Sequence, residues 1–269
     1  DASSTYAPNA SLKDKVSHQL LNASQATEIC EADLVWTPTH WQKAQFPPSL
    51  QSRMSVIHEG VDTRSFSPNK ERIFDKDTFH ITYSSRALEA MRCFDHFTQI
   101  IALVMKEDIR VKLTIIGKEK AVYRPLSKNM QSLQSIAKQT FSKIGVIDRV
   151  KFYPRLGFDD YRSVFRSSDI HFYYSRPFVA SWSLLEAMSS GCTIVSNSTP
   201  MTDEFIASRP NSVGALMTDC TNHLESASQV LNLINSPNLM KEISLDLRER
   251  SLKLDYKIQL SKLKSLIGY

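Results

Sequence analysis

The sequence predicts an α/β fold, a Rossmann-like doubly wound parallel sheet, with a small incomplete unit ahead of it. Three observations carry this. From Thr78 onward, short apolar runs alternate with stretches of helical periodicity, the order of a parallel sheet covered on both faces. Residues 178–197 read as loop, short helix, glycine stop and buried strand, one turn of that alternation. Upstream, residues 62–77 are polar, carry Pro68 and a run of charges, and set the regular part off as a separate unit.

In chain order, residues 1–15 are polar and expected to be poorly ordered. Residues 16–31 have helical spacing, with Leu20, Leu21, Ala26 and Ile29 available as an inner face. A short strand is expected at 33–37, broken by Pro38. Thr39 can cap a helix running to Phe46, which Pro47-Pro48 stops. Another strand is expected at 55–58, ending at Glu59-Gly60. The regular part then predicts strands at 79–84, 111–116, 149–153, 170–174 and 212–217. Helices are expected at 93–105, 127–141, 159–166, 200–206 and 222–234, and residues 237–265 as mainly helical. In the helix at 93–105, Phe94, Phe97, Ile101 and Val104 fall on one face. In the key stretch, Ser181 or Ser183 can cap a helix whose stripe is Leu184, Leu185 and Met188; Gly191 suits its left-handed end, and Cys192 to Val195 continue as a strand.

With 269 residues and 42% hydrophobic content, the chain can bury a substantial core, and no apolar run is long enough to cross a bilayer. The net charge of +5 suits phosphate-bearing ligands or an anionic membrane surface, and no motif for reading nucleic acid accompanies it. Cys30, Cys93, Cys192 and Cys220 lack metal-ligand spacing, so they are expected as free thiols in a reducing, cytoplasmic setting. The chain opens on Asp1 rather than Met, which suggests a fragment or trimmed chain. No Walker, G-x-S-x-G or complete G-x-G-x-x-G pattern occurs, which leaves NTPase, hydrolase and nicotinamide readings without support. The lysine-leucine stretch from Leu252 to Leu266 suits either a membrane surface or packing back across the domain join.

In doubly wound sheets ligands bind at the carboxyl ends of the strands, near the point where strand order reverses. Three loops are expected there. In Ile57-His-Glu-Gly-Val-Asp62, Gly60 allows close backbone approach to a ligand, or simply a hinge turn. In Ser84-Ser-Arg-Ala-Leu-Glu-Ala-Met-Arg92, Arg86 and Arg92 offer planar forks that match diphosphate oxygens, or are two surface arginines. In the third loop, the free amides of the helix start suit a phosphate and Glu186 suits ribose hydroxyls. The same Ser183-Leu-Leu-Glu186 also matches a capping box, in which Glu186 only closes its own helix. Asp159 and Asp160 are paired carboxylates at a helix start, where the dipole favours them. The histidines show no metal-type spacing.

Together these loops resemble the family-4 retaining glycosyltransferases of the two-Rossmann-domain (GT-B) type. Ser55-Val-Ile-His-Glu-Gly-Val-Asp-Thr63 with Phe66-Ser-Pro68 resembles the interdomain segment, and Ile81-Thr-Tyr-Ser-Ser-Arg86 through Arg92 the donor-diphosphate loop. Arg149-Val-Lys-Phe-Tyr-Pro-Arg155 is similar to the loop beside the nucleobase. Ser181-Trp-Ser-Leu-Leu-Glu-Ala-Met-Ser-Ser-Gly191 is similar to the family's main signature, and Thr37-Pro-Thr-His-Trp-Gln42 with Phe46-Pro47 to the end of its amino-terminal domain in one bacterial branch.

The resemblance implies that residues 1–54 are the tail of an amino-terminal, acceptor-side Rossmann domain. Residues 55–269 would then be the nucleotide-sugar-binding domain, its final helix packing back toward the amino-terminal part. It implies a UDP-, GDP- or ADP-sugar donor, a glycan or glycoconjugate acceptor, polysaccharide biosynthesis, peripheral contact with the inner membrane face, no nucleic acid and no metal. By the same resemblance Arg86, Arg92 and Glu186 are catalytic, and Gly60, Arg155, Ser183 and Leu184 join them in holding the donor. Phe178 stands where the family often has a first glutamate, and Cys93 where it usually has glycine. The alternative is a non-catalytic, nucleotide-binding or partner-supporting relative that lacks the acceptor domain.

Overall fold

The computed structural model describes residues 11–68, 77–119 and 131–268. Expectations for residues 1–10, for the charged run at 69–76 and for the helix start at 127–130 lie outside them. The chain divides into two compact units, one of Asp1–Glu59 with Lys257–Tyr269, the other Gly60–Tyr256.

In the first unit, α1 (Leu12–Glu31) opens on a capping box between Ser11 and Asp14. Its amphipathic reading fails in part: Leu20 and Leu21 are 68% and 61% exposed, while Ala26 and Ile29 are half-buried. The burial follows the far end of the helix, where Arg53 donates to the carbonyls of Ile29 and Ala32 at 3.1 and 2.9 Å. Next, β1 (Val35–Thr37) leads to α2 (His40–Ala44), which Thr39 caps by accepting from the Gln42 amide. Pro47 ends that run, but Pro48 opens a further turn, α3 (Pro48–Gln51), since proline suits a first helical position. β2 (Met54–Val56) then pairs in parallel with β1.

In the second unit, β3 (Phe79–Ala87), α4 (Phe94–Glu107), β4 (Val111–Lys118), α5 (Leu133–Lys143), β5 (Val150–Tyr153) and α6 (Phe158–Ser167) come first. They are followed by β6 (Ile170–Tyr173), α7 (Trp182–Ser189), β7 (Thr193–Ser196), α8 (Pro200–Ile206), β8 (Leu216–Met217), α9 (His223–Ile234) and α10 (Pro237–Leu252). All six strands run parallel in the order β5-β4-β3-β6-β7-β8. The chain winds outward through β4 and β5, returns to the other flank of β3, and winds outward again. Strand order therefore reverses between β3 and β6, and their carboxyl ends frame a crevice position. The core fills as the apolar pattern requires: Phe94, Phe97, Ile101 and Val104 of α4 are fully buried, and Phe97 stacks on Tyr83 at 4.5 Å. Among the described residues no helix is long and apolar enough to cross a membrane.

One strand is shorter than expected. The strand at 212–217 shrinks to β8, because Ser212 Oγ and the Gly214 amide bond the Asp246 carboxylate instead of a strand neighbour. Residues 237–265, expected as mainly helical, form α10 and α11 (Tyr256–Leu266) with a break between them. At the break, the Val61 amide donates to the Leu254 carbonyl and the Tyr256 amide to the Val61 carbonyl, both at 3.0 Å. Gly60 sits beside this crossing at φ +86°, and a Cβ on it would lie 2.4 Å from Tyr256 Cα. Gly60→Ala should therefore destabilise the protein by more than the ~1–2 kcal/mol of a left-handed alanine alone. Urea denaturation checks this; an unchanged midpoint would contradict the packing.

Candidate functional site

The carboxyl ends of β3 and β6 carry most of the residues singled out in the sequence. β3 runs on through an irregularity between Ser84 and Ala87. A short 3-10 turn, Ala90–Arg92, follows, and Cys93 takes the left-handed conformation at φ 47° before α4 begins. Where glycine would be unstrained, a residue bearing a Cβ holds this bend.

That bend turns Arg92 inward. It is 7% exposed and donates to Tyr173 Oη at 2.9 Å, Ser175 Oγ at 2.8 Å and the Val179 carbonyl at 2.9 Å. Its guanidinium also lies 5.2 Å from the centre of the Phe178 ring. Both Nη nitrogens are thus committed to the end of β6 and the loop after it. Tyr173 Oη in turn accepts from the Ser181 amide at 2.9 Å, so Arg92 fixes the approach to α7.

Ser181, not Ser183, is the N-cap of α7. Its side chain accepts from the Ser183 amide at 3.4 Å, and its carbonyl from the Leu184 amide at 3.1 Å. Both amides expected to face a phosphate already have partners within the turn. Ser183 Oγ donates to the Ser84 carbonyl at 3.2 Å, tying α7 to the end of β3, while Leu184 is fully buried.

With the cap at Ser181, the capping box at Ser183 does not form. Glu186 reaches sideways instead: its Oε2 accepts from Tyr161 Oη of α6 at 2.7 Å. Ser84 Oγ donates to the same phenol oxygen at 3.4 Å. Ser84, Tyr161, Ser183 and Glu186 therefore form one hydrogen-bonded cluster drawn from β3, α6 and α7. Burial pushes the Glu186 carboxyl up to about 7, against the opposing effect of the Tyr161 hydrogen bond. A carboxyl so placed changes charge near neutral pH and can accept from ligand hydroxyls when ionised.

The structure does not bring every expected residue to this cluster. Arg86 and Arg155 are exposed, on β3 and after β5, and neither makes a hydrogen bond or ion pair among the described residues. The close approach at Gly60 is to the backbone of Tyr256, not to open space. Asp159 and Asp160 occupy the first turn of α6, and Asp159 pairs with Arg162 at 3.0 Å. His171 is buried, 2.9 Å from Thr82 Oγ1, and burial pushes it down to about 3. Among the described residues no group of three or more His, Cys, Asp or Glu is arranged to hold a metal. Tyr161 and Tyr173 were missed; in sequence each is one aromatic in an amphipathic helix or an apolar strand.

The Glu186 shift has a consequence for stability. The folded state holds this proton more tightly than the unfolded chain, whose carboxyl titrates near the ordinary 4.5. Stability from this group is therefore complete below about pH 4.5 and is lost as pH rises through about 7. The loss is on the order of 3 kcal/mol. Glu186→Gln should remove that pH dependence and melt higher than wild type at pH 8; calorimetric scans from pH 5 to 8 measure it.

Comparison with known proteins adds the following. The chain matches a family model described as glycosyl transferase family 4 group over residues 2–66. It matches another, described as glycosyl transferases group 1, over residues 78–236, more than half its length. No curated protein matches it in sequence. Sucrose-phosphate synthase from Thermosynechococcus elongatus is similar in structure at TM-score 0.73 and 14% identity, over 100% of this chain and 65% of that one. Anabaena HepE, in complex with UDP and glucose, is similar at TM-score 0.72 and 18% identity, over 99% and 70%. The pneumococcal O-GlcNAc transferase GtfA, in complex with UDP and GlcNAc, gives 0.70 and 13%, over 91% and 46%. The likeness is one of fold, and this chain spans less than two thirds of the synthase and of GtfA.

Proposed function

The chain belongs to the glycosyl transferases group 1 family, and from that premise we propose that it carries the donor-binding half of a retaining glycosyltransferase. The observation that carries this reading is the Glu186 carboxylate, held by Tyr161 beside the start of α7 where strand order reverses. In this reading a nucleotide sugar lies across the carboxyl ends of β3, β5 and β6; HepE and GtfA, similar in fold, are seen in complex with UDP.

In this reading Glu186 accepts hydrogen bonds from the ribose hydroxyls. Arg86, exposed and without a partner among the described residues, neutralises the donor diphosphate and the leaving phosphate. Arg155 lies toward the nucleobase. Arg92 acts through the loop it fixes, which sets Ser181 and the start of α7. The amides of Ser183 and Leu184 add the positive end of α7 rather than unpaired donors. The sugar C1–O bond to phosphate breaks while a bond to the acceptor oxygen forms on the same face. The acceptor proton passes to the departing phosphate oxygen, so no protein base and no metal is assigned to the step. The acceptor is a glycan or glycoconjugate.

Isothermal titration with UDP, GDP and ADP and their sugars tests the assignment. One nucleotide should bind, and Arg86→Ala should weaken it about ten- to a hundredfold, the loss of a charge-assisted bond. Glu186→Ala should weaken it as well. Binding of no nucleotide by the wild type overturns the reading.

A further inference from the structure

We infer that Tyr161 is a positioning residue for donor binding: its phenol fixes the Glu186 carboxylate in the plane and charge state that a ribose diol requires. This rests on the reading of Glu186 as the ribose-binding group.

The phenol has one proton, and it is directed at Glu186 Oε2 over 2.7 Å. Ser84 Oγ donates to the phenol oxygen at 3.4 Å, so the phenol's own proton is left for Glu186. Glu186 Oε1 makes no hydrogen bond among the described residues. With Oε2 engaged, the carboxylate plane is set, and Oε1 is left to accept from a vicinal diol. Pre-set geometry of this kind lowers the ordering cost of binding.

The ring that carries the hydroxyl is itself held by packing. Phe66 meets it edge-on at 6.1 Å and Phe165 lies 4.7 Å away. Phe66 is buried, and its carbonyl accepts from Ser189 Oγ at 2.6 Å and Arg248 Nη1 at 3.1 Å. A tyrosine needed only to fill this aromatic cluster would not need its hydroxyl on a carboxylate. The groups that face Glu186 are the Tyr161 phenol from α6 and, behind it, the Ser84 hydroxyl from β3; no charged side chain among the described residues bonds it. Burial raises its proton affinity and the phenol opposes that rise, so the phenol keeps the carboxylate ionised at lower pH than burial alone would permit.

Tyr161→Phe keeps the ring and removes the hydroxyl. Two measurements on the full chain test the inference: the NMR titration of the Glu186 carboxyl without ligand, and UDP affinity from pH 5.5 to 8.5 by calorimetry. In Tyr161→Phe the carboxyl midpoint should move upward and UDP should bind about three- to tenfold more weakly near neutral pH, recovering toward high pH. Glu186→Gln should flatten the pH profile, and Tyr161→Phe should add nothing in that background. An unmoved carboxyl midpoint in Tyr161→Phe overturns the positioning role even if UDP binds. A moved midpoint in a protein that binds no nucleotide overturns the donor-site reading, and this role with it.

Discussion

The candidate site depends on one buried cation. Arg92 leaves solvent at the end of β3, and removing a guanidinium from water is costly unless its donors are matched. Three of them are matched by a phenol at the end of β6 and by a serine hydroxyl and a backbone carbonyl from the loop that follows. A loop that would otherwise be free is therefore fixed to the neighbouring strand. The effect passes on through Tyr173, which accepts from Arg92 and from the Ser181 amide, to the cap of α7 and the direction of Glu186. An arginine that resembles a phosphate ligand in sequence braces the loop that leads into α7.

A second brace works from below. Arg248 of α10 donates to the carbonyls of Thr63, Phe66 and Ser189 and to Ser189 Oγ, joining the segment after Gly60 to the end of α7. Desolvation lowers its proton affinity, yet it has four acceptors around it. Phe66 is held in place by this clamp and forms one side of the Tyr161 pocket. Geometry at Glu186 thus answers to two arginines, neither of which touches it.

The sequence was most informative where local rules and packing agree. The helix and strand after Ser181 were readable because the Leu184, Leu185 and Met188 stripe, Gly191 at φ 74° and the apolar run to Val195 all point the same way. The alternation that predicts the doubly wound sheet was readable for the same reason. What was not readable depends on partners remote in sequence. Whether Glu186 caps its own helix or reaches Tyr161 turns on which serine is the N-cap, and Ser181 is favoured because Tyr173 holds its amide. The break between α10 and α11 has no proline or glycine to announce it; it follows from the crossing at Val61, with Thr63 Oγ1 donating to Asp255 at 2.5 Å. Gly60 stands out in the sequence for the close approach its backbone allows, and the neighbour that comes close is Tyr256.

The sheet also tapers. Its central strand, β3, has nine residues, while the outer strands β5 and β8 have four and two. An extended segment from another molecule needs a row of unpaired amides and carbonyls to join a sheet. Here the margins offer only a few such groups, and the long runs that could template a fibril lie in the middle, already paired on both sides. The strand lengths that bring the loops together at the centre therefore also leave little free edge on which another chain could aggregate.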